Sequence, residues 1–426
     1  MKQIHFERFK ETLYILKLKN GLTVHMLPLL LESYTTFVEV SIPFGGMHLA
    51  YQKGHLKKEL HSGFAHFLEH KIFAMPEGDA FAGFSKLGAD ANAMTSYTQT
   101  SYIFSSTEQV IEALDYLLNM LDTPYFNQEN VESEKKIINE ELKMYLDDPI
   151  QLMQNKLLEN MYHVHPIKYD IGGTIKSIEP INDRDLLDLY RDMYHPKNRL
   201  LTIAGHMDLK ALTSYFKSYE KKDMGFYEKP KIIIPKEPKH LVKKHEVIYK
   251  PTSMPKMMLG VKLPSKNRKP QDAFKREMTI NMFLNMLLGA SSKPYEMLLE
   301  EKLINQNFFV QSTFEKGAEM ILIYAESKKI TTLKKKLIDL LCIDREVYLK
   351  KSTFDRFKKA YLGQFIHSLN HLETKVYLYS RFYHQGLSLF EATDVLNEIS
   401  YDDLNEVMNE IKTNRISTLF LKRPKA

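Results

Sequence analysis

Gly63-Phe64-Ala65-His66-Phe67-Leu68-Glu69-His70 is the stretch on which the reading of this chain turns. The spacing predicts a helix from about Gly63 to Met75. On it, His66 and His70 lie four residues apart and project from one face, so both imidazoles can reach a single metal ion. Glu69 lies beside them, placed to act on water at that ion. The pattern H-x-x-E-H inverts the H-E-x-x-H arrangement and points to metal-assisted hydrolysis. Two imidazoles do not complete a catalytic zinc site, which takes three protein ligands and an open position.

A third ligand is expected from another helix. In Val131-Glu132-Ser133-Glu134-Lys135-Lys136-Ile137-Ile138-Asn139-Glu140-Glu141-Leu142, Glu134 and Glu141 are seven apart and share a face. Ile137, Ile138, Met144 and Tyr145 flank Glu141 at helical positions, which predicts that it points to the apolar side. A carboxylate there needs a reason, and metal ligation is one. Glu141 is therefore the expected ligand, with Glu134 as a group that orients a ligand or the water. Glu140, between Lys136 and Lys143, reads as solvated. A bland reading of the same residues has His66 and His70 as half-buried histidines and Glu69 as a surface acid. His367 and His371 repeat the i,i+4 spacing without an intervening glutamate and read as the polar positions of an amphipathic helix. His163 and His165, before Pro166, read as loop residues.

Outward from the motif the chain is patterned as α+β. Leu13–Leu18 and Leu22–Leu27 alternate around Asn20-Gly21, a hairpin signal. Phe37–Ile42 is a third strand, and Asn92–Ser105 reads as one or two more. Helices are expected at Glu108–Leu121, Gln128–Leu146 and Gln151–Tyr162, then a strand at Arg199–Gly205. The segment 219–240 is charged and punctuated by Pro230, Pro235 and Pro238, which marks a linker. The pattern then restarts: strands at Met257–Val261, Phe308–Ser312 and Met320–Tyr324, and helices at Asp272–Leu288, Pro294–Glu301, Leu333–Leu341 and Phe354–His371. The expectation is two α+β domains, 1–218 carrying the metal site and 241–426 without one.

Composition narrows the function classes. At 426 residues, 44% hydrophobic and 26% charged, the chain suits two ordinary globular domains. A net charge of +6 is modest, and its lysine runs lack interleaved aromatics, so no nucleic-acid partner is expected. No run approaches the length of a membrane span; the longest candidate is Leu27-Pro28-Leu29-Leu30-Leu31. The single Cys342 sits in an apolar run and reads as an inert thiol, and the N-terminus has no signal-peptide apolar core. A cytoplasmic protein is expected.

His66-x-x-Glu69-His70, followed by Glu141 in the Glu-x6-Glu helix, resembles the M16 family of zinc metallopeptidases, which includes pitrilysin, insulysin and the mitochondrial processing peptidase. Lys19-Asn20-Gly21-Leu22-Thr23-Val24 is similar to the family's first hairpin, and Gly88-Ala89-Asp90-Ala91-Asn92-Ala93-Met94-Thr95-Ser96-Tyr97-Thr98 to the strand after the motif. The resemblance implies two homologous sandwich domains of the LuxS and mitochondrial-processing-peptidase metallohydrolase type. It implies Zn²⁺ as cofactor, Glu69 as general base, and a peptide substrate pairing along that strand at Asn92, Ala93 and Met94. Leu288 to Ile304 looks like the family's second-domain helix. Where many members there carry an arginine and, seven residues on, a tyrosine, this chain has Leu299 and Gln306. A heterodimer with an M16-like subunit that supplies the pair is therefore implied. So is a peptide-processing role such as bacteriocin maturation, seen in small bacterial members. Two other readings stay open: a non-catalytic M16-like scaffold, and a peptide-binding subunit with structural zinc.

Overall fold

The computed structural model describes residues 1–29, 34–219 and 225–424. Twelve strands build its two large sheets. The first seven are β1 (Lys2–Phe6), β2 (Glu11–Lys17), β3 (Thr23–Pro28), β4 (Thr36–Ile42), β5 (Asp90–Thr95), β6 (Thr100–Ser106) and β7 (Leu200–Gly205). The other five are β8 (His245–Tyr249), β9 (Lys256–Leu263), β10 (Phe309–Glu315), β11 (Ala318–Glu326) and β12 (Ile416–Lys422). The helices that matter below are α1 (Phe64–Ile72), α2 (Val110–Asp122), α3 (Gln128–Asp147), α4 (Pro149–Met161), α5 (Pro270–Leu288), α6 (Lys351–Ser368) and α7 (Leu372–Gln385).

The first unit is a seven-stranded sheet in the order β1-β2-β3-β7-β4-β6-β5. Its β2–β3 hairpin turns at Asn20-Gly21, with Gly21 at φ 96° and its N–H donating to the Leu18 carbonyl at 2.9 Å. Alternation along β4 divides the sheet's two faces. Val38, Val40 and Ile42 enter the core with Phe67 and Leu68 of α1 and Leu114, Leu117 and Leu118 of α2. Glu39 and Ser41 face the other way, toward α7, which packs on β4 and β7.

That second face is polar although it is buried. The Tyr379 hydroxyl meets His25 Nδ1 at 2.6 Å, and Ser41 Oγ meets His384 Nε2 at 2.8 Å. Gln99 Nε2 donates to Ser101 Oγ and Ser380 Oγ at 2.8 and 3.0 Å, and to Glu39 Oε1 at 3.3 Å. Glu39 Oε2 and the hydroxyl of Thr202, its register partner on β7, are buried with no hydrogen-bond partner among the described residues. Burial holds His25 and His384 down to about 4, so both rings are neutral at pH 7.

The second unit is a five-stranded sheet in the order β8-β12-β9-β11-β10, covered by α4, which packs on β9 and β12. Lys262 of β9 is buried, and its ammonium donates to Met161 O, Glu237 Oε1, Pro238 O and His240 O at 2.7–3.1 Å. Glu237 also accepts the N–H groups of His163, Val164 and His165 at 2.8–2.9 Å. Burial opposes its charge, but Lys262 and these amides hold its carboxyl down at about 2.

Several sequence expectations change here. The compact units are not contiguous halves: the first takes residues 1–144, 170–233 and 368–390, the second 145–169, 234–367 and 391–426. Part of the expected linker is structured, since Glu237 is a buried ion-pair partner; residues 220–224 of that linker, like Leu30 and Leu31 of the apolar run, lie outside the described residues. The expected helix Phe354–His371 ends at Ser368, and His371 caps α7, so His367 and His371 share no face. His165 is a loop residue as expected, yet fully buried, its ring accepting from the Ile167 N–H. Among the described residues no helix is long and apolar enough to cross a membrane.

Burial pushes the Glu39 carboxyl up from 4.5 to about 7. The folded form thus binds this proton more tightly than the unfolded chain does. Its contribution to stability is full below about 4.5 and is lost as pH rises through about 7. Glu39→Gln is expected to raise the thermal midpoint by a few degrees at about pH 8 and to leave it nearly unchanged at about pH 4.5. Equal shifts at both pH values in a thermal melt would contradict the assignment.

Candidate metal centre

Helix α1 starts from a backbone position that only glycine fills easily. Gly63 precedes it at φ 92°, and a Cβ there would lie 2.6 Å from the Gly172 carbonyl oxygen. From that start Phe64, Ala65, Phe67, Leu68 and Ile72 turn into the core. His66 and His70 fall on the remaining face with their rings 4.5 Å apart. Helix α3 runs past this face and brings Glu134 and Glu141 to it.

His66 Nε2 stands 3.8 Å from Glu141 Oε1, and His70 Nε2 stands 3.6 Å from Glu141 Oε2. Among the described residues, His66, His70 and Glu141 offer donor atoms that all lie within 4.8 Å of one another. Ligands about 2.1 Å from a tetrahedral ion are separated by about 3.4 Å, so this trio fits one ion after shifts of a few tenths of an ångström to an ångström. Two imidazole nitrogens and a carboxylate oxygen are also a donor set that zinc takes.

The surroundings prepare these groups. Glu134 Oε1 lies 3.1 Å from His70 Nδ1, which places the ring proton on Nδ1 and leaves the Nε2 lone pair facing the trio. Lys71 is buried; its ammonium lies 3.7 Å from Glu134 Oε2 and donates to the Asn130 carbonyl at 3.1 Å. Burial, then the neighbouring His70, pushes His66 down to about 4, so its ring is neutral at pH 7 and able to ligate. Its Nδ1 is buried without a hydrogen-bond partner among the described residues. His70 is raised: burial opposes its charge, but Glu134 and the other carboxylates outweigh it. Glu134 is lowered because His70 and Lys71 outweigh its burial. Three carboxylates thus face two imidazoles and one lysine, an excess of negative charge that a divalent cation would offset.

Glu69 is nearly buried, and burial raises its carboxyl. Thr95 Oγ1 donates to Glu69 Oε2 at 2.5 Å. Thr95 ends β5, the edge of the sheet, which among the described residues pairs only with β6. On β5, Asn92 is exposed and its Oδ1 accepts its neighbour Ala93's N–H at 2.8 Å; Ala93 and Met94 are half-buried.

The structure therefore brings His66, Glu69, His70, Glu134 and Glu141 together and sets Asn92, Ala93 and Met94 on the adjoining edge. Of the apolar neighbours expected to draw Glu141 toward the core, Ile138 is buried, but Ile137, Met144 and Tyr145 are exposed. Glu141 faces the histidines beside exposed apolar groups, not the core. Sequence reasoning did not single out Thr95 or Lys71. Each sits in or next to a stretch already quoted, but a strand threonine and a helix lysine carry no distinguishing spacing. In the second unit, α5 carries Asn281 and Asn285 at the spacing of the two histidines, and Ser312 Oγ bonds Asn281 Oδ1 at 2.5 Å. Among the described residues the second unit offers no comparable group of three metal-ligating side chains.

Two family models match the chain: Insulinase (Peptidase family M16) over residues 47–175, and Peptidase M16 inactive domain over residues 180–342. A relative from Bacillus subtilis, the uncharacterized zinc protease YmfH, is 33% identical over 423 residues, 98% of each chain. The chain belongs to the M16 peptidase family. AlbF of Bacillus subtilis, also named as a zinc protease, is 28% identical over 183 residues, covering 42% of this M16 chain and 43% of its own length. The crystal structure of an M16-like peptidase from Alicyclobacillus acidocaldarius superposes with a TM-score of 0.92 at 26% identity, over 97% of this chain and 99% of that one. A protease from Helicobacter pylori shares the fold at a TM-score of 0.82 and 21% identity, over 97% of this chain and 99% of that one. The α+β fold in two M16 domains follows.

Gly63→Ala is expected to destabilise the protein by about 1–3 kcal/mol, since the added methyl meets a carbonyl in a strained backbone region. A denaturant melt with an unchanged midpoint would mean that α1 does not depend on this entry.

Proposed function

We propose that this chain is a zinc-dependent endopeptidase. The observation that carries the reading is the convergence of His66 Nε2, His70 Nε2 and a Glu141 carboxylate oxygen beside Glu69. In this reading His66, His70 and Glu141 hold the ion, and Glu134 fixes the tautomer and orientation of His70. Zinc held there would supply Lewis acidity toward a water and the scissile carbonyl. Glu69 does the proton work. Its Oε2 is held by Thr95, leaving Oε1 to take a proton from the attacking water and return it to the departing amine. Burial favours the protonated form of Glu69, which suits a group that must both accept and release a proton.

The substrate is an extended peptide that pairs with β5 at Asn92, Ala93 and Met94. Asn92 covers the Ala93 N–H in the free protein, which blunts an otherwise open edge, so an incoming strand must displace that carboxamide. Leu299 and Gln306 supply neither a cation nor a hydroxyl for a developing oxyanion. A second M16-type subunit with an arginine and a tyrosine at those places would supply them and close a reaction chamber. Its product would be a trimmed peptide or leader, with bacteriocin maturation as one setting, and the cytoplasm its compartment.

Purified without chelator and supplied with zinc, the wild-type protein is expected to hold about one zinc per chain, and His66→Ala none, by elemental analysis. Glu134→Gln should weaken zinc binding about 10–100-fold in chelator competition. Glu69→Gln should keep the zinc and lose hydrolysis of quenched-fluorescent peptides. Zinc-free wild type would favour the scaffold reading, and a fully active Glu69→Gln would end the base assignment.

A further inference from the structure

We infer that Thr95 is the positioning residue of the general base. The inference rests on the reading of Glu69 as that base and extends it to a residue outside the metal-binding helices. A glutamate has three side-chain torsions, and fixing such a side chain costs rotamer freedom. Proximity catalysis needs that freedom removed before substrate arrives. α1 does not remove it by itself, because it supplies no hydrogen bond to the carboxylate. Thr95 does so with a charge-assisted O–H···O bond of 2.5 Å to Glu69 Oε2.

The donor is itself set in place. Thr95 Oγ1 lies 3.5 Å from the hydroxyl of Thr100, its register partner on β6, and the Thr100 hydroxyl donates to the Phe44 carbonyl at 2.9 Å. With the Thr100 proton committed there, the closer and stronger acceptor for the Thr95 proton is Glu69. The hydroxyl's direction is thus decided by two acceptors on two different elements. Because threonine is β-branched, its χ1 is stiff, and the hydroxyl follows the backbone closely.

That backbone is held on three sides. Ser96 and Gln99 close the β5–β6 turn through Ser96 N to Gln99 O at 2.7 Å and Ser96 Oγ to Gln99 O at 3.0 Å. From the loop after β4, the N–H groups of Gly46 and Met47 donate to Ser96 O and Tyr97 O at 2.9 and 3.0 Å. Gly45 approaches so closely that a Cβ on it would lie 2.4 Å from Ser96 O. From α7, Ser380 receives the Gln99 side-chain amide. Thr95 therefore stands on a rigid turn, and it ends the strand on which a peptide would pair. Base alignment and substrate docking share one strand.

The test uses the full-length zinc-loaded chain with Thr95→Val, which keeps the shape and removes the hydroxyl, and Thr95→Ser, which keeps the hydroxyl. Thr95→Val should retain about one zinc per chain and a KM within about twofold of wild type, while kcat falls about 10–100-fold. Thr95→Ser should recover kcat to within about threefold of wild type. In crystals of the metal-free proteins, the Glu69 carboxylate should leave its wild-type position in Thr95→Val and keep it in Thr95→Ser; this readout needs no turnover. A wild-type kcat in Thr95→Val, an equal loss in both variants, or an unmoved Glu69 would overturn the inference. Glu69→Gln separates the two levels. If it stays active, the base reading itself falls; if it is inactive while Thr95→Val is fully active, only the positioning role falls.

Discussion

Helix α1 has to bury one face and present charge-bearing donors on the other within nine residues. A helix so short is not stable alone, and its hold on the structure is the apolar face formed by Phe64, Ala65, Phe67, Leu68 and Ile72. That face fixes the rotation of the helix about its axis, and the rotation fixes where His66 and His70 point. The entry at Gly63 fixes the remaining freedom, translation along the axis. The site's geometry thus follows from core packing, to which the contacts of His66 and His70 with Glu141, and of His70 with Glu134, are added. The electrostatics are left unbalanced as a result. Glu69, Glu134 and Glu141 converge on two imidazoles, and buried Lys71 is placed to offset one of those charges. Packing free energy holds together what charge repulsion would separate, and a divalent cation would relieve that conflict.

The edge strand adds a second constraint. β5 lies next to α1 because β6 and β4 continue the sheet under that helix. Among the described residues its outer edge is unpaired, while its last residue reaches Glu69. Under the proposed function, a peptide pairing with β5 would lie alongside Glu69. The same edge would invite unwanted pairing, and the Asn92 carboxamide covering the Ala93 N–H is a local defence against it.

Much of this was legible in the sequence, for uneven reasons. The i,i+4 histidines and the Glu134/Glu141 spacing follow from helix period alone, and the structure keeps all four on facing helices. Strand and helix positions were readable wherever alternation or period was strong, as in β2, β3, β4, α3 and α5. Glu141 was selected through its apolar neighbours, and three of those, Ile137, Met144 and Tyr145, are exposed. A sequence shows that apolar residues flank a position but not whether they line a core or an open face. The assignment of helices to sheets was not legible. α4 covers the later sheet and α7 the earlier one, and no local pattern records which sheet an amphipathic helix will meet. Thr95 was invisible for a similar reason, since its role depends on a contact between residues 26 positions apart.

The way α7 is held explains how such an exchange stays specific. An apolar helix on an apolar sheet can slide by a turn at small cost, and α7 reaches its sheet only after the rest of that unit has been made. Its contacts with the sheet are instead directional: Tyr379 with His25, Ser380 with Gln99, His384 with Ser41, and Lys375 with Glu11. Each pair is satisfied in one register, and a shift would leave several buried polar groups unpaired at about 1–3 kcal/mol apiece. The cost is visible in Glu39, a buried carboxyl lifted toward neutrality, and in the Thr202 hydroxyl beside it, which has no partner among the described residues. A layer built only for stability would not keep these groups; a layer that must select one register for a helix far along the chain has use for them. Through Gln99 these hydrogen bonds also reach the turn that follows Thr95, the donor to Glu69.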